Sequence, residues 1–548
     1  MEPWRFNRLF AALLWVAAAL AIASGIATAA APAAAPPAPV AAPSAPAVAP
    51  SAPAAAPSTP VAAPSAPAAV PAALPAARSV AEKPLWIGEG TAYATPYYVI
   101  DSGKPGPTVL VVGGVHGNEP AGAGAAEEIR HWTIACGKLV VLPQASRPAL
   151  AAATRSIPST GPGAAAAGEE SNLNRCFPSA PNESPKGPLA AAIWKMVEGV
   201  RPDWLIDLHE GIGTAGEGDA SVGSSIISSR LASAKERAQS MLETVNATIG
   251  DTKKRFVLKS QPIMGSLARG TGDRLGAATI IAETTSKGQP RSLREREHRI
   301  IVHRLLEDLK MAACGADVLA GPPGRQVRVA LYDGPGTHPN PTLEAKFAAD
   351  GDLAVHWVGE PEIAGPALGQ FDVLVVPGGG GSTESRGLGG AGCDAIRRFV
   401  GDGGGYVGIC AGAYLASAGY TWSLGIINAK VADGMRGKGM PQVELTDEGR
   451  RILGSKAGPF EVKYQNGPLI VAADREGLPA YTVLARFRSE IVASERVPRI
   501  AMDDSPAIVC AAYRKGRVVC ISPHPEGTPG LEGMARAAVR WAAVRISP

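Results

Sequence analysis

Four short stretches of this 548-residue chain set imidazole, carboxylate and thiol groups at spacings that can do chemistry. In Gly113-Gly114-Val115-His116-Gly117-Asn118-Glu119 a His and a Glu three residues apart sit on a glycine-bracketed loop and can reach one metal ion. Trp204-Leu205-Ile206-Asp207-Leu208-His209 is an apolar strand ending in a second His. Asp207 and His209 face the same side of such a strand, so the carboxylate can orient the imidazole. Two His and one carboxylate with an open fourth position is a catalytic zinc arrangement. The third stretch, Gly408-Ile409-Cys410-Ala411-Gly412, has the small residues that permit a strand-to-helix elbow exposing a nucleophile, and a helix amino terminus favours a thiolate. Far downstream, Ser522-Pro523-His524-Pro525-Glu526 offers His524 as base and Glu526 as its orienter. Pro377 to Gly381 is the matching source of backbone donors for an oxyanion.

These groups need rigid elements behind them. Apolar runs Thr108 to Val112, Lys138 to Leu142, Trp204 to Leu208 and Ala278 to Ala282 alternate with helical patterns such as Leu189 to Val200. That predicts an α/β domain with a mostly parallel or mixed sheet over residues 81–318, its ligands collecting at the carboxyl ends of the strands. After Gly321-Pro322-Pro323-Gly324 a fresh pattern begins, with strands Val327 to Tyr332, Leu353 to Val358, Phe371 to Val376 and Tyr406 to Ile409. Residues 326–548 are expected to form a second α/β domain on a flavodoxin-like, doubly wound parallel sheet. The segment from Arg291 to Ala313 reads as a highly charged helix with apolar Ile300, Ile301, Leu305, Leu306 and Leu309 at helical spacing, and its His298 and His303 as solvated or packing residues. Cys510 and Cys520 flank the turn Arg514-Lys515-Gly516 and are expected opposite each other in a hairpin, as a disulfide or as two buried thiols.

Between and after the metal-type residues lie Asn172-Leu173-Asn174-Arg175-Cys176-Phe177-Pro178 and Ala282-Glu283-Thr284. Taken in order, His-Gly-Asn-Glu, Asn-Leu-Asn-Arg-Cys-Phe-Pro, Asp-Leu-His and the late Glu-Thr resemble the zinc carboxypeptidase superfamily, in its succinylglutamate desuccinylase/aspartoacylase branch. The resemblance implies Zn2+ bound by His116, Glu119 and His209, with Glu283 the general base that activates water and passes the proton to the leaving amine. It implies Asn174 and Arg175 as a clamp for a substrate carboxylate, and Arg155 as the group facing the oxyanion, a role for which Arg147 competes. Asn172 stands where the family motif more often has an acid. Glu210 is expected to point away from the metal, and Cys176 to be a buried small residue. The second domain resembles class I glutamine amidotransferase-like folds, and Gly-Ile-Cys-Ala-Gly-Ala-Tyr-Leu-Ala-Ser is most similar to the biotin-protein ligase amino-terminal-like domain. That implies a Cys410-His524-Glu526 triad, active or retained only as a binding frame. Tyr414 replaces the Gln with which glutaminases of the class bind substrate, which speaks against glutamine hydrolysis.

The chain's ends and balance bound what it can be. With 53 Lys+Arg against 49 Asp+Glu there is no electrostatic case for nucleic acid. Residues 1–30 combine Arg5 and Arg8, an apolar run and Ala27-Thr28-Ala29, and read as an export signal, or, through residues 9–31, as an uncleaved membrane anchor. In residues 31–80, Ala-Pro-Ser recurs from Ala42, Ala49, Ala56 and Ala63, which predicts an extended, disordered spacer near a membrane or cell wall. The body of the protein is therefore expected to be periplasmic or otherwise extracytoplasmic. The leading expectation is an exported zinc-dependent hydrolase cleaving an amide of an N-acyl amino acid or short peptide with a free carboxylate. A cell-wall peptide amidase or carboxypeptidase, and a non-catalytic peptide- or wall-binding protein, stay open beside it, as does a Cys-His-Glu hydrolase in the second domain. Residues 156–170, rich in Gly, Ala, Pro and Ser, are expected to act as a lid over the site.

Overall fold

The runs of Val, Ile and Leu that end in glycine or a polar residue become the central strands of two sheets, because a strand covered on both faces needs apolar side chains on both. The computed structural model describes residues 84–165, 171–215, 221–321, 326–338, 342–491 and 499–546, within one compact unit, Leu74–Pro548. The segments read as an export signal and a spacer, and part of the expected lid, lie outside the described residues. No helix among the described residues is long and apolar enough to cross a membrane.

The first sheet has eight strands, β1 (Leu85–Ile87), β2 (Thr95–Asp101), β3 (Thr108–Gly113), β4 (Lys138–Leu142), β5 (Trp204–Gly211), β6 (Ser225–Ser228), β7 (Val257–Ser260) and β8 (Ala278–Thr285), in the order β1-β2-β4-β3-β5-β8-β6-β7. The centre β4-β3-β5-β8 is parallel, while β2 and β6 run antiparallel to their inner neighbours. This is a mixed sheet, with apolar clusters on its two faces. The ends of β3, β5 and β8 point the same way, which is where the metal-type residues fall.

The second sheet has nine strands. Strands β9 (Val327–Tyr332), β10 (Leu353–Val358), β11 (Val373–Val376) and β12 (Gly405–Ile409) form its parallel part with Gly516–Ile521. The doubly wound reading is right for this part and incomplete for the rest. Pro506–Tyr513, Thr482–Phe487, Gln442–Leu445 and Phe460–Glu461 extend the sheet antiparallel. Pro506–Tyr513 joins Gly516–Ile521 through a tight hairpin, whereas Gln442–Leu445 and Phe460–Glu461 are joined through the helix Asp447–Leu453. In the hairpin Cys510 pairs with Val519 and Cys520 with Val509, so the two thiols are not opposite each other. Positions one register step apart point to opposite faces, and Cys510 and Cys520 accordingly sit in different core clusters. The disulfide alternative is thereby excluded by geometry.

The helix Arg291–Asp308 departs from its sequence reading. Its apolar residues pack on the first sheet as expected, but Glu295, Glu297, His298 and Arg299 are buried as well. The second domain covers Arg299, whereas Glu297 and His298 are held by Gln289 and Thr284 of the first. Arg299 Nη2 donates to Glu362 Oε1 at 2.7 Å, the Arg291 backbone N–H to Asp333 Oδ2 at 2.7 Å, and Ser292 Oγ to the Asp333 carbonyl at 2.7 Å. A cavity of about 420 Å³ remains between the domains, and the Glu128–His356 pair lines it. Arg299 and Glu362 are 1% and 3% exposed, so removing one leaves the other charged and buried. Arg299→Met is expected to destabilise the protein by about 3–5 kcal/mol. Denaturant unfolding of the variant checks this, and a loss below roughly 1 kcal/mol would show the pair to be solvated.

Candidate metal centre and cysteine site

His116 and Glu119 lie on the loop leaving β3, tightened where Gly117 packs so closely on the Ala149 carbonyl that a Cβ there would collide. His209 lies near the carboxyl end of β5, which is buried throughout. The three converge: His116 Nδ1 is 2.8 Å from Glu119 Oε1, His209 Nδ1 is 2.8 Å from Glu119 Oε2, and one ligand atom from each lies within 4.8 Å of the others. All three side chains are buried. Among the described residues this is the one His/Cys/Asp/Glu group with metal-site geometry.

The outward nitrogens test whether the set fits a metal. His116 Nε2 lies 3.0 Å from Asn172 Oδ1, which also accepts the Asn174 backbone N–H at 3.0 Å and is thereby identified as the oxygen. His209 Nε2 lies 3.1 Å from Asp207 Oδ2. Each imidazole thus faces an oxygen acceptor through both nitrogens. A neutral imidazole carries one proton and can satisfy only one of them. A cation at the Nδ1 side resolves both rings at once, so the residues present fit a divalent metal of the zinc type. Asn172, standing where an acid is commoner, keeps the orienting contact. Asn172→Ala is expected to weaken zinc binding by about 10- to 100-fold, which a competitive chelator titration measures; unchanged affinity would remove Asn172 from the site.

The charges around the cluster follow from burial and pairing. Burial would raise Glu119, but hydrogen bonds from His116 and His209 pull it down to about 2. Glu283 pairs in register with His209 on β8. Burial, aided by Glu119 and Asp207 against His209 and Arg155, raises its carboxyl to about 7. Arg155 Nη1 donates to Glu119 Oε1 at 2.8 Å, whereas Arg147 Nη1 is held by the Ala94 carbonyl at 2.8 Å. Asn174 is buried, its Oδ1 without a partner among the described residues. Arg175 donates to the Asn174 carbonyl at 2.7 Å, folded back along its own turn. Glu210 points away from the cluster as expected, accepting the Ala121 N–H at 2.6 Å and pairing with Arg294. His298 Nε2 meets Thr284 Oγ1 and His303 Nε2 the Cys314 carbonyl, so both are packing residues. Cys176 is buried.

In the second domain Cys410 has φ +52° and ψ −101°, a left-handed position that a non-glycine residue occupies only when the surroundings impose it. The surroundings do: Cys410 N–H donates to the Ile521 carbonyl at 2.8 Å, and Gly412 packs directly on the Val376 carbonyl. His524 Nδ1 lies 2.8 Å from Glu526 Oε1, and the Cys410 thiol donates to the Gln465 carbonyl at 3.3 Å. Burial alone would lower His524, but Cys410 and Glu526 raise it to about 10, so it is an imidazolium at neutral pH. The helix after Cys410 is only Ala411–Ala416, too short to bring a full helix dipole to the sulfur. A Cβ at Gly378 would lie 2.9 Å from His524 Cε1 and 3.6 Å from Cys410 Cβ, which brings the glycine loop onto the triad. Arg436, in the Gly434 to Gly439 stretch that faintly resembles a biotin-ligase loop, is buried against Asp433 and Glu490 and so is closed to a ligand.

The sheet order and the buried two-histidine, one-carboxylate cluster at the strand ends resemble a metallocarboxypeptidase-like hydrolase domain. Residues 105–305 match the succinylglutamate desuccinylase/aspartoacylase catalytic domain, and residues 328–440 match the biotin-protein ligase amino-terminal domain. His524 and Glu526 lie beyond the second match. Among solved structures, the chain is similar to the meso-diaminopimelate-bound cell shape determinant Csd4 of Helicobacter pylori, a D,L-carboxypeptidase, at 19% identity over 38% of this chain and 51% of that one, with a TM-score of 0.32. A succinylglutamate desuccinylase/aspartoacylase from Rhodobacter sphaeroides matches at 22% identity over 41% and 62%, TM-score 0.29. The ectoine utilization protein EutE of Ruegeria pomeroyi matches at 18% over 40% and 63%, TM-score 0.30. This chain thus spans between half and two thirds of each of those chains. No curated protein matches it.

Proposed function

We propose that the protein is an exported zinc-dependent amidohydrolase that cleaves an N-acyl amino acid or short peptide carrying a free carboxylate. One observation carries the reading: His116, Glu119 and His209 converge while Asn172 and Asp207 hold the outer face of each imidazole. A zinc ion bound there would polarise the scissile carbonyl and make water a competent nucleophile near neutral pH. The chain's own residues supply the rest. Asn174 and Arg175 receive the substrate carboxylate, Arg175 turning from the Asn174 carbonyl to present its planar fork. Arg155 stands beside Glu119 and meets the negative charge that grows on the carbonyl oxygen. Glu283 takes a proton from the attacking water and delivers it to the departing amine. With export, a cell-wall peptide is the natural substrate within this class, since the spacer would hold the domain near the wall.

The test is incubation of the full chain with N-acyl amino acids and muropeptides, with and without a chelator, products being read by mass spectrometry. Chelator-sensitive amide cleavage is the expected outcome. Binding without turnover would favour the non-catalytic alternative. Cleavage that survives the chelator would move the chemistry to the second domain, whose Cys410, His524 and Glu526 support a second reading as a thiol hydrolase.

A further inference from the structure

The cavity over Cys410 is more elaborate than a triad requires. It encloses about 530 Å³ and has two chemically different flanks. On one, the rings of Tyr420 and Trp422 stack 4.6 Å apart at 12°. This shelf is fixed to the glycine loop, because a Cβ at Gly381 would lie 3.3 Å from Trp422 Cη2 and 3.2 Å from Tyr414 Cβ. Tyr420 is 39% exposed, leaving the shelf open to the cavity. On the other flank stands Lys463, whose carbonyl accepts the His524 N–H at 2.7 Å and whose Nζ lies 3.8 Å from the place of a Gly527 Cβ. No ion pair to Lys463 occurs among the described residues, and the cavity's own carboxylate, Glu526, is taken by His524. Tyr414 gives its hydroxyl proton to the Asn466 carbonyl at 3.0 Å, so it is not a free donor for a small amide side chain.

Both flanks line the cavity that holds the nucleophile, Lys463 bonded through its carbonyl to the His524 backbone and the aromatic shelf packed on the glycine loop, and His524 decides their order. The departing amine must take its proton from His524, so the leaving half of the substrate lies on the Lys463 side and the acyl half on the Tyr420–Trp422 side. We infer that the Cys410 site hydrolyses an amide joining an acyl group that bears an aromatic ring to an amine that bears a free carboxylate. The inference rests on the reading of Cys410 as a nucleophile. The thiolate adds to the carbonyl carbon, the C–N bond breaks, His524 protonates the amine, and a thioester remains. Water then adds to the thioester with its proton going to His524, the C–S bond breaks, and the arylacyl acid and the thiolate–imidazolium pair are released. No oxidant or further reactant is needed.

The experiment uses the full chain carrying Glu283→Gln and treated with chelator, so that the first site is silent. Iodoacetamide labelling at neutral pH, mapped by mass spectrometry, reports the nucleophile. Hydrolysis of phenylacetylglycine, acetylglycine and phenylacetylglycine methyl ester reports the flanks. Cys410 is expected to be alkylated, with kcat/KM roughly tenfold higher for phenylacetylglycine than for either of the others. Trp422→Ala is expected to erase the ring preference and Lys463→Met the preference for the free acid over its ester, each chiefly through KM. A labelled Cys410 with no preference among the three amides overturns the substrate assignment alone. An unlabelled Cys410 overturns the nucleophile and the substrate together.

Discussion

Glu283→Gln is expected to reduce amide hydrolysis by about 10²- to 10⁴-fold while leaving zinc stoichiometry unchanged. The side chain is 8% exposed and stands in register beside His209, so the amide fits the same space. What is lost is the ability to take up and give back a proton. Burial among Glu119 and Asp207 raises the carboxyl to about 7, near the pH at which both events must be easy. Steady-state rates together with bound zinc measured on the same sample separate the two roles. A variant that hydrolyses at the native rate would remove Glu283 from the reaction, and one that loses zinc would make it a ligand instead.

The second large effect concerns the metal. Adding zinc to chelator-treated protein at about 100 times its dissociation constant should stabilise the fold by about 2.7 kcal/mol, since the unfolded chain lacks the assembled site. His209→Ala should abolish both that response and hydrolysis. The ring supplies one ligand atom and also fills the space between Glu119 and Asp207, both buried carboxylates. Thermal unfolding with and without zinc, on native protein and variant, measures it. A variant that still gains stability from zinc would show that the ion binds elsewhere.

Much of the site was legible because its chemistry sits in contiguous motifs at strand ends. β4, β9 and β10 run over the predicted residues, and the cores of β3, β5, β8 and β12 lie where apolar runs meet glycine or a polar residue. What the sequence hid depends on contacts between distant segments. Asn172 reaches His116 across 56 residues, and its substitution for an acid looked like a loss where the carbonyl oxygen does the same work. Lys463, Tyr420 and Trp422 belong to no motif, and Lys463 lies in the link between two two-residue strands, Phe460–Glu461 and Tyr464–Gln465, too short to declare themselves. The cysteine pair shows a different limit. Symmetry about a turn was visible, but the one-residue register that sends the thiols to opposite faces depends on which two residues form the turn.

The charged helix Arg291–Asp308 belongs to both domains at once: its apolar stripe completes the first core, and its Arg291, Ser292 and Arg299 are bonded to Asp333, Glu344 and Glu362 of the second. Neither half can therefore lose its structure without stripping partners from the other. Heat or denaturant should meet the pair as a single cooperative unit, with one transition rather than two. Separating them by cutting the chain near residue 320 would leave the first half with a row of charges arranged for a surface that is no longer there.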